Sequence, residues 1–311
     1  RSLKLMAGGI RNTAIGAYTG SNITGGQYNE CMGYGALYNL STGSNNVSIG
    51  YKSLNQATTS SFNTGLGSET LRNNTTGARN TAVGFKALTA NTTASYNTAV
   101  GDNALTVNTT GNLNTAVGQQ ALDANTTGSD NTAVGVNALS DNTTTNHHTA
   151  VGYNALASNT SGTNNTAVGS RALDSNTTGY SNVAVGHDAM GAATTGDRCV
   201  GIGSYALDAA LTGNDNTVVG NESGSAVTSG ANNTALGSYS LRYTTTSSGN
   251  TAIGKSALTN NSTGADNTAV GINTLPNNST GNDNTAVGKS ALQENTTGTE
   301  NTAVGGNALD A

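Results

Sequence analysis

The sequence predicts an all-β chain: a parallel β-solenoid, or β-roll, with one 17-residue coil per repeat. Three observations predict it. Asn12-Thr13-Ala14-Ile15-Gly16 returns as Asn80-Thr81-Ala82-Val83-Gly84 and as Asn301-Thr302-Ala303-Val304-Gly305, always at multiples of seventeen and without insertion or deletion. The repeat is rich in Thr, Val, Asn and Gly, which are poor helix formers, and seventeen residues are too few for a helix pair. Its Thr-Ala-Val segment alternates with the period of a strand. A globular enzyme has no reason to hold such a register, whereas stacked coils require it.

The coil reads N-T-A-V-G-x-x-A-L-x-x-N-T-T-G-x-x, numbered one to seventeen from Asn12. Positions two to four form the strand. If the aliphatic residue at position four points inward, Thr at position two shares its face, and Asn, Ala and Gly face the other way. Gly at position five, present in every copy from Gly16 on, and the frequent Gly at fifteen mark corners that need positive φ or close backbone approach. Leu at position nine starts or adjoins a second short strand, and Asn-Thr-Thr at twelve to fourteen makes the remaining edge. The only proline, Pro276, falls at position ten, which argues for a bend there.

Each side chain then lies about 4.8 Å from its equivalent in the next coil. Stacked amides can hydrogen-bond along the axis as a ladder. The structural columns expected are Asn97, Asn114 and Asn131; Val100, Val117 and Val134; Gly101, Gly118 and Gly135; and Leu105, Leu122 and Leu139. His148 and Cys199 are the two replacements of Asn at position one.

Two large apolar residues per coil make a thin core. Burying one contributes roughly 1.5–3 kcal/mol, against about 1–2 kcal/mol of backbone entropy for every residue ordered. The alanines at positions three and eight are expected to supply further burial as flat stripes between chains, in a parallel homotrimer. Near-identical coils specify register weakly. Irregular coils, in which Gly20 and Gly224 replace the leucine, break that degeneracy, and a further register-setting domain is expected outside residues 1–311. The whole chain is expected to be one repetitive segment of about 18 coils, a fragment of a longer fibre protein that begins at Arg1 and stops within a coil.

Only 9% of residues are charged, and the net charge is −5. No basic stripe suits nucleic acid, and no apolar run approaches the roughly 20 residues of a membrane-spanning helix. Cys31 and Cys199 stand about ten coils apart, too far to bridge, and read as free buried thiols. No cofactor is implied.

Few residues suggest chemistry. His147 and His148 are neighbours that point to opposite faces of a strand, a poor metal pair within one chain, and His187 falls in another column. Nothing supports a catalytic Ser-His-Asp set. Asp266, Asp283 and Glu300 share position seventeen on successive coils, a weak calcium candidate set against a solvated acidic edge, with Lys255 and Lys289 at position six offering charge relief. Tyr34, Tyr51 and Phe85 share position six, and Tyr28, Phe62 and Tyr96 share position seventeen. These aromatics either pack along the rim or meet a receptor, such as a sugar ring.

The Thr-Ala-Val-Gly and following Ala-Leu of this repeat resemble the YadA-like heads of trimeric autotransporter adhesins. The Asn-Thr-Ala-Val-Gly arrays also look like the shafts of phage tail fibres and related bacterial surface fibres. The likeness runs over residues 12–311. It departs from the heads in its longer period of seventeen and in Thr at the place of the first aliphatic residue. The resemblance implies left-handed parallel β-rolls, three chains together, and a non-enzymatic extracellular segment on a virion or bacterial surface. Such a segment would attach to a host-cell glycan or protein. An ice-binding solenoid using Thr ladders is the alternative, argued against by a position two that faces inward. A polysaccharide-cleaving fibre and an open-ended head-to-tail filament are further readings.

Overall fold

Every coil contributes one three-residue strand, and the rest of its backbone is turn and bend. The computed structural model describes residues 9–310. The chain divides into two compact units at Asn154/Ala155. Among the described residues the first holds nine strands, from β1 (Thr13–Ile15) to β9 (Thr149–Val151), and the second holds nine, from β10 (Thr166–Val168) to β18 (Thr302–Val304). Within each unit the strands form an in-register parallel sheet. In β6 (Thr98–Val100) and β7 (Thr115–Val117), Thr98 faces Thr115, Ala99 faces Ala116 and Val100 faces Val117. The ladder continues past the strand ends, with Thr98 N–H donating to Asn114 O at 2.8 Å and Gly101 N–H to Val83 O at 2.8 Å.

The faces of the strand are the reverse of the expected ones. Ala99, Ala116 and Ala133 at position three are fully buried, whereas Thr98 and Val100 on either side are only half-buried. Val117 is half-buried and Val134 is 36% exposed. The reason is volume. Seventeen residues enclose a narrow lumen, already filled by Leu105, Leu122 and Leu139 and by two asparagines per coil, all fully buried. A methyl group fits what remains. Cys31 and Ser48 also fit at position three, and the largest residue there, Val218, is buried in the coil where Gly224 stands at position nine, a Cβ on Gly224 lying 3.3 Å from Val218 Cγ2.

The alanines at position eight, such as Ala104 and Ala121, are also sealed within the single chain. The alanine stripes are therefore not free to pack between chains, which removes that argument for association.

Leu at position nine lies in no second strand. Leu105, Leu122 and Leu139 adopt φ of 50°, 53° and 57°, so the leucine forms a left-handed turn that drops its side chain into the lumen. Its N–H donates to the next coil (Leu105 to Ala121 O, 3.0 Å), and its carbonyl accepts from position twelve (Asn108 N–H, 3.2 Å). Left-handed backbone costs a non-glycine residue of order 1–3 kcal/mol. Here burial of the leucine and a second backbone bond offset it. Asn-Thr-Thr likewise turns rather than pairing as a strand, and Pro276 lies in a turn.

The two glycine columns serve different needs. Gly101, Gly118 and Gly135 at position five have φ of 140–142°, and a Cβ on Gly118 would sit 2.2 Å from Gly135 O. Gly111 at position fifteen has no such φ, but a Cβ there would lie 2.2 Å from Gly128 O and 2.5 Å from Asn108 Oδ1.

That crowding comes from two amide ladders. At position one, Asn114 N–H donates to Asn97 Oδ1 at 2.9 Å and Asn131 N–H to Asn114 Oδ1 at 3.1 Å. The same side chains donate from Nδ2 to the position-fifteen carbonyl of their own coil, Asn97 to Gly111 O at 2.9 Å and Asn114 to Gly128 O at 2.8 Å. At position twelve, Asn125 Nδ2 donates to Asn108 Oδ1 at 2.9 Å, and Asn108 Nδ2 also reaches Gly111 O at 3.0 Å. Both asparagines thus converge on one inward-turned carbonyl, and a buried polar interior is satisfied. The substitutes fit this frame: Cys199 N–H donates to Asn182 Oδ1 at 2.8 Å and its Sγ–H to Gly213 O at 3.4 Å. His148 N–H donates to Asn131 Oδ1 at 3.0 Å, and its Nε2 meets the Thr145 hydroxyl at 2.9 Å.

Candidate functional site

With the interior committed to stacking, what varies from coil to coil is the outer bend at positions six, seven and ten and the outer corner at seventeen. Positions seven and seventeen carry left-handed backbone throughout, Lys52 at φ 53° and Tyr96 at φ 62° among them. This conformation turns their side chains to the rim.

In the first unit, the outer bend gathers four tyrosines. Tyr34 and Tyr51 stack with ring centroids 5.8 Å apart and planes 20° apart. Tyr18 meets Tyr34 edge-on at 5.5 Å and Tyr38 at 6.4 Å. Between them lies a notch of about 270 Å³, lined by Tyr18, Tyr34, Gly35, Tyr38, Lys52 and Asn55. The notch has a local cause. Column seven runs Tyr18, Gly35, Lys52, and Gly35 is the only glycine in that column. Its missing side chain leaves the gap that Tyr18 and Lys52 flank. Lys52 Nζ sits 5.1 Å from the Tyr51 ring, and Asn55 Nδ2 donates to Gly35 O at 2.8 Å, holding the floor.

Phe85 shares column six but stands apart, because Ser68 intervenes; its ring is covered by Lys86 Nζ at 5.0 Å. The other aromatic column is occupied by this chain's own cations. Arg79 lies 5.5 Å from Phe62 and 5.3 Å from Tyr96 and donates to the Tyr96 hydroxyl. Arg11 does the same for Tyr28. Of the six candidate aromatics, the structure therefore brings together Tyr34 and Tyr51, and it adds Tyr18 and Tyr38. Those two were legible only through the gap at Gly35 between residues of neighbouring columns.

The remaining candidates are dispersed. Asp266, Asp283 and Glu300 are exposed along column seventeen. No group of three His, Cys, Asp or Glu side chains converges on a common metal position among the described residues. His147 is exposed on its corner, while His148 is buried in the ladder. Burial pushes the Cys31 thiol up to about 12 and raises that of Cys199, so neither is a ready nucleophile.

The second unit carries ion pairs on its rim. Arg198 clasps Asp215 through Nε and Nη2 at 2.7 and 2.8 Å, a hydrogen-bonded contact that lowers the Asp215 pKa. Asp188 receives Arg171 at 2.6 Å and His187 at 3.1 Å, and His187 meets Tyr205 edge-on at 5.3 Å. Burial and the neighbouring Asp188 raise the pKa of Asp208.

No helix among the described residues is long and apolar enough to cross a membrane. The chain matches no protein-family model, and no curated protein matches it.

Proposed function

We propose that the chain is a non-enzymatic segment of an extracellular fibre, of the virion tail-fibre or bacterial-adhesin kind, which associates in threes and attaches to a host or surface. The observation that carries this reading is the uncovered sheet face. Parallel sheets occur almost only with both faces covered. Here one face packs on the lumen, while the other presents Thr at position two and an aliphatic residue at position four to solvent. Ile15 is 54% exposed and Leu236 is 50% exposed. A second and a third copy laid on this face would cover it. The number three rests on the resemblance of the repeat to trimeric heads and shafts.

The test is the solution mass by light scattering during size-exclusion chromatography. Three times 30.8 kDa is expected. The double variant Val117→Lys, Val134→Lys, placed on outward side chains, is expected to return a folded protein of 30.8 kDa with an unchanged β circular-dichroism spectrum. A monomeric parent would remove the fibre reading.

A second reading gains from the same face. Thr at position two points outward, not inward, so ranks of Thr hydroxyls and Val methyls repeat at about 4.8 Å along each unit. Such a flat, regular face suits an ice-binding solenoid, and thermal hysteresis by a monomeric protein would favour it.

A further inference from the structure

We infer that the tyrosine notch of the first unit is a glycan site that accepts a carboxylated pyranose. The inference rests on the attachment reading above and names its ligand class.

The notch has the parts that such a sugar requires. A pyranose offers an apolar C–H face and a rim of hydroxyls. Tyr34 supplies a ring that is 50% exposed, and Tyr18 supplies a second at 46%, set edge-on to it. Aromatic faces of this kind take C–H groups while their hydroxyls remain wet. Asn55, which lines the notch, ends an amide row: Asn22 Nδ2 donates to Asn39 Oδ1 at 3.3 Å, Asn39 Nδ2 to Gln56 Oε1 at 2.9 Å, and Gln56 Nε2 to Asn55 Oδ1 at 3.0 Å. These groups match hydroxyls that both donate and accept.

The charge selects the sugar. Lys52 lines the notch and takes no part in the ion pairs of the described residues, whereas Glu69 on the next coil is paired with Arg72 at 3.4 Å. The Lys52 ammonium, held 5.1 Å from the Tyr51 ring beside the notch in a protein of net charge −5, is a local complement to a carboxylate. In the other aromatic column Arg11 and Arg79 cover Tyr28, Phe62 and Tyr96, whereas in the notch Lys52 covers only Tyr51, and no cation of the described residues lies over the Tyr18 or Tyr34 ring.

The notch can be closed with a small shift of one side chain, since a Cβ at Gly35 would lie 3.3 Å from Asn55 Nδ2 and 3.7 Å from Lys52 Cγ. Asn occupies column seven at Asn103, Asn137 and Asn154 with φ of 51–55°, and Gly35 has φ 67°. Gly35→Asn therefore places a side chain in the gap using a residue that this backbone already carries.

The test titrates the full chain with a galacturonic acid hexamer, with its methyl ester, in which only the charge is removed, and with a decaproline peptide. Binding is read by saturation-transfer NMR and calorimetry. The acid is expected to bind saturably and the ester at least five-fold more weakly. Gly35→Asn and Tyr34→Ser are expected to lose at least ten-fold, and Lys52→Gln to abolish the preference for acid over ester. The inference is overturned if neither sugar binds, if acid and ester bind equally to the parent, if Gly35→Asn binds as the parent does, or if decaproline alone binds. Those failures are separable from failure of the fibre reading, which is read from the mass of the same samples without any sugar.

Discussion

Column twelve of the first unit is built in two ways. Near the start it is apolar: Ile23, Leu40 and Ala57 are all fully buried. From Asn74 through Asn91, Asn108, Asn125 and Asn142 it is an amide ladder, equally buried. Both versions work because each is internally consistent. A run of apolar groups asks for no partners, and a run of amides supplies its own. The cost falls on the boundaries. Each Nδ2 donates to the Oδ1 of the coil before it, so the last amide in a run has an acceptor with no donor. In the second unit Asn176 is such a residue. Its Nδ2 donates to Asn159 Oδ1 at 3.1 Å, but Ala193 follows it, and Asn176 Oδ1 is buried without a hydrogen-bond partner. Thr244, just before the amides resume at Asn261, likewise has an unpartnered hydroxyl. A buried polar network is stable when complete and costly where it stops.

The largest expected effect breaks the amide run in its middle. Asn108→Ala removes the donor to Asn91 Oδ1, one donor to Gly111 O and the acceptor of Asn125 Nδ2. One buried acceptor, Asn91 Oδ1, and one buried N–H of Asn125 are orphaned and a small cavity opens, so local stability should fall by about 3 kcal/mol. Amide hydrogen exchange along Thr98–Val100 and Thr115–Val117 would report it as faster local opening, which suits an array whose coils need not unfold together.

A smaller effect comes from moving the end of the second run. Ala193→Asn gives Asn176 Oδ1 a donor but leaves its own buried Oδ1 without one, because Leu211 fills the lumen of the next coil, so net stability should change by less than about 1 kcal/mol. Exchange at Thr166–Val168 and Val183–Val185 should slow, and exchange at Val200–Ile202 should quicken. Unchanged or faster exchange at the first two strands would mean that Leu211 and Gly196 leave no room for the amide, and that apolar packing governs this stretch.

The smallest effect concerns the rim beside the apolar stretch of the second unit. Asp208 is half-buried there, and burial together with Asp188 raises its pKa. A carboxyl whose folded pKa is raised destabilises the fold as pH rises from the ordinary carboxylate value through the raised one, and the penalty persists above it. Asp208→Asn should therefore stabilise the fold at pH 7 by under about 0.5 kcal/mol after solvent screening, seen as a small rise in the thermal midpoint, and leave the midpoint unchanged at pH 3. An equal rise at both pH values would place the effect in packing rather than charge.

Period, parallel register and the position-one columns were legible in the sequence because a translational repeat forces like onto like. The face assignment was not. Alternation says that Thr98 and Val100 share a side and that Ala99 faces the other, but it does not say which side is inside. Hydropathy favours Val, whereas the lumen volume decides for Ala, and that volume depends on the left-handed turn at Leu105, a conformation that leucine itself does not advertise. The site followed the same rule. Tyr34 and Tyr51 could be paired by column, because they are seventeen residues apart. Tyr18 and Tyr38 come from different columns, and their approach depends on how the outer bend folds around Gly35.

The shared direction of the amide bonds has an evolutionary consequence. Every coil presents a donor side and an acceptor side, so a duplicated block of seventeen codons inserts with its own amides already complementary to both neighbours. A block that is not a whole number of coils would set unlike positions over one another and take the corner glycines out of their columns. Lengthening by whole coils is therefore nearly neutral for the interior, and the sequence of such a gene can grow or shrink in whole-coil steps while its rim diversifies.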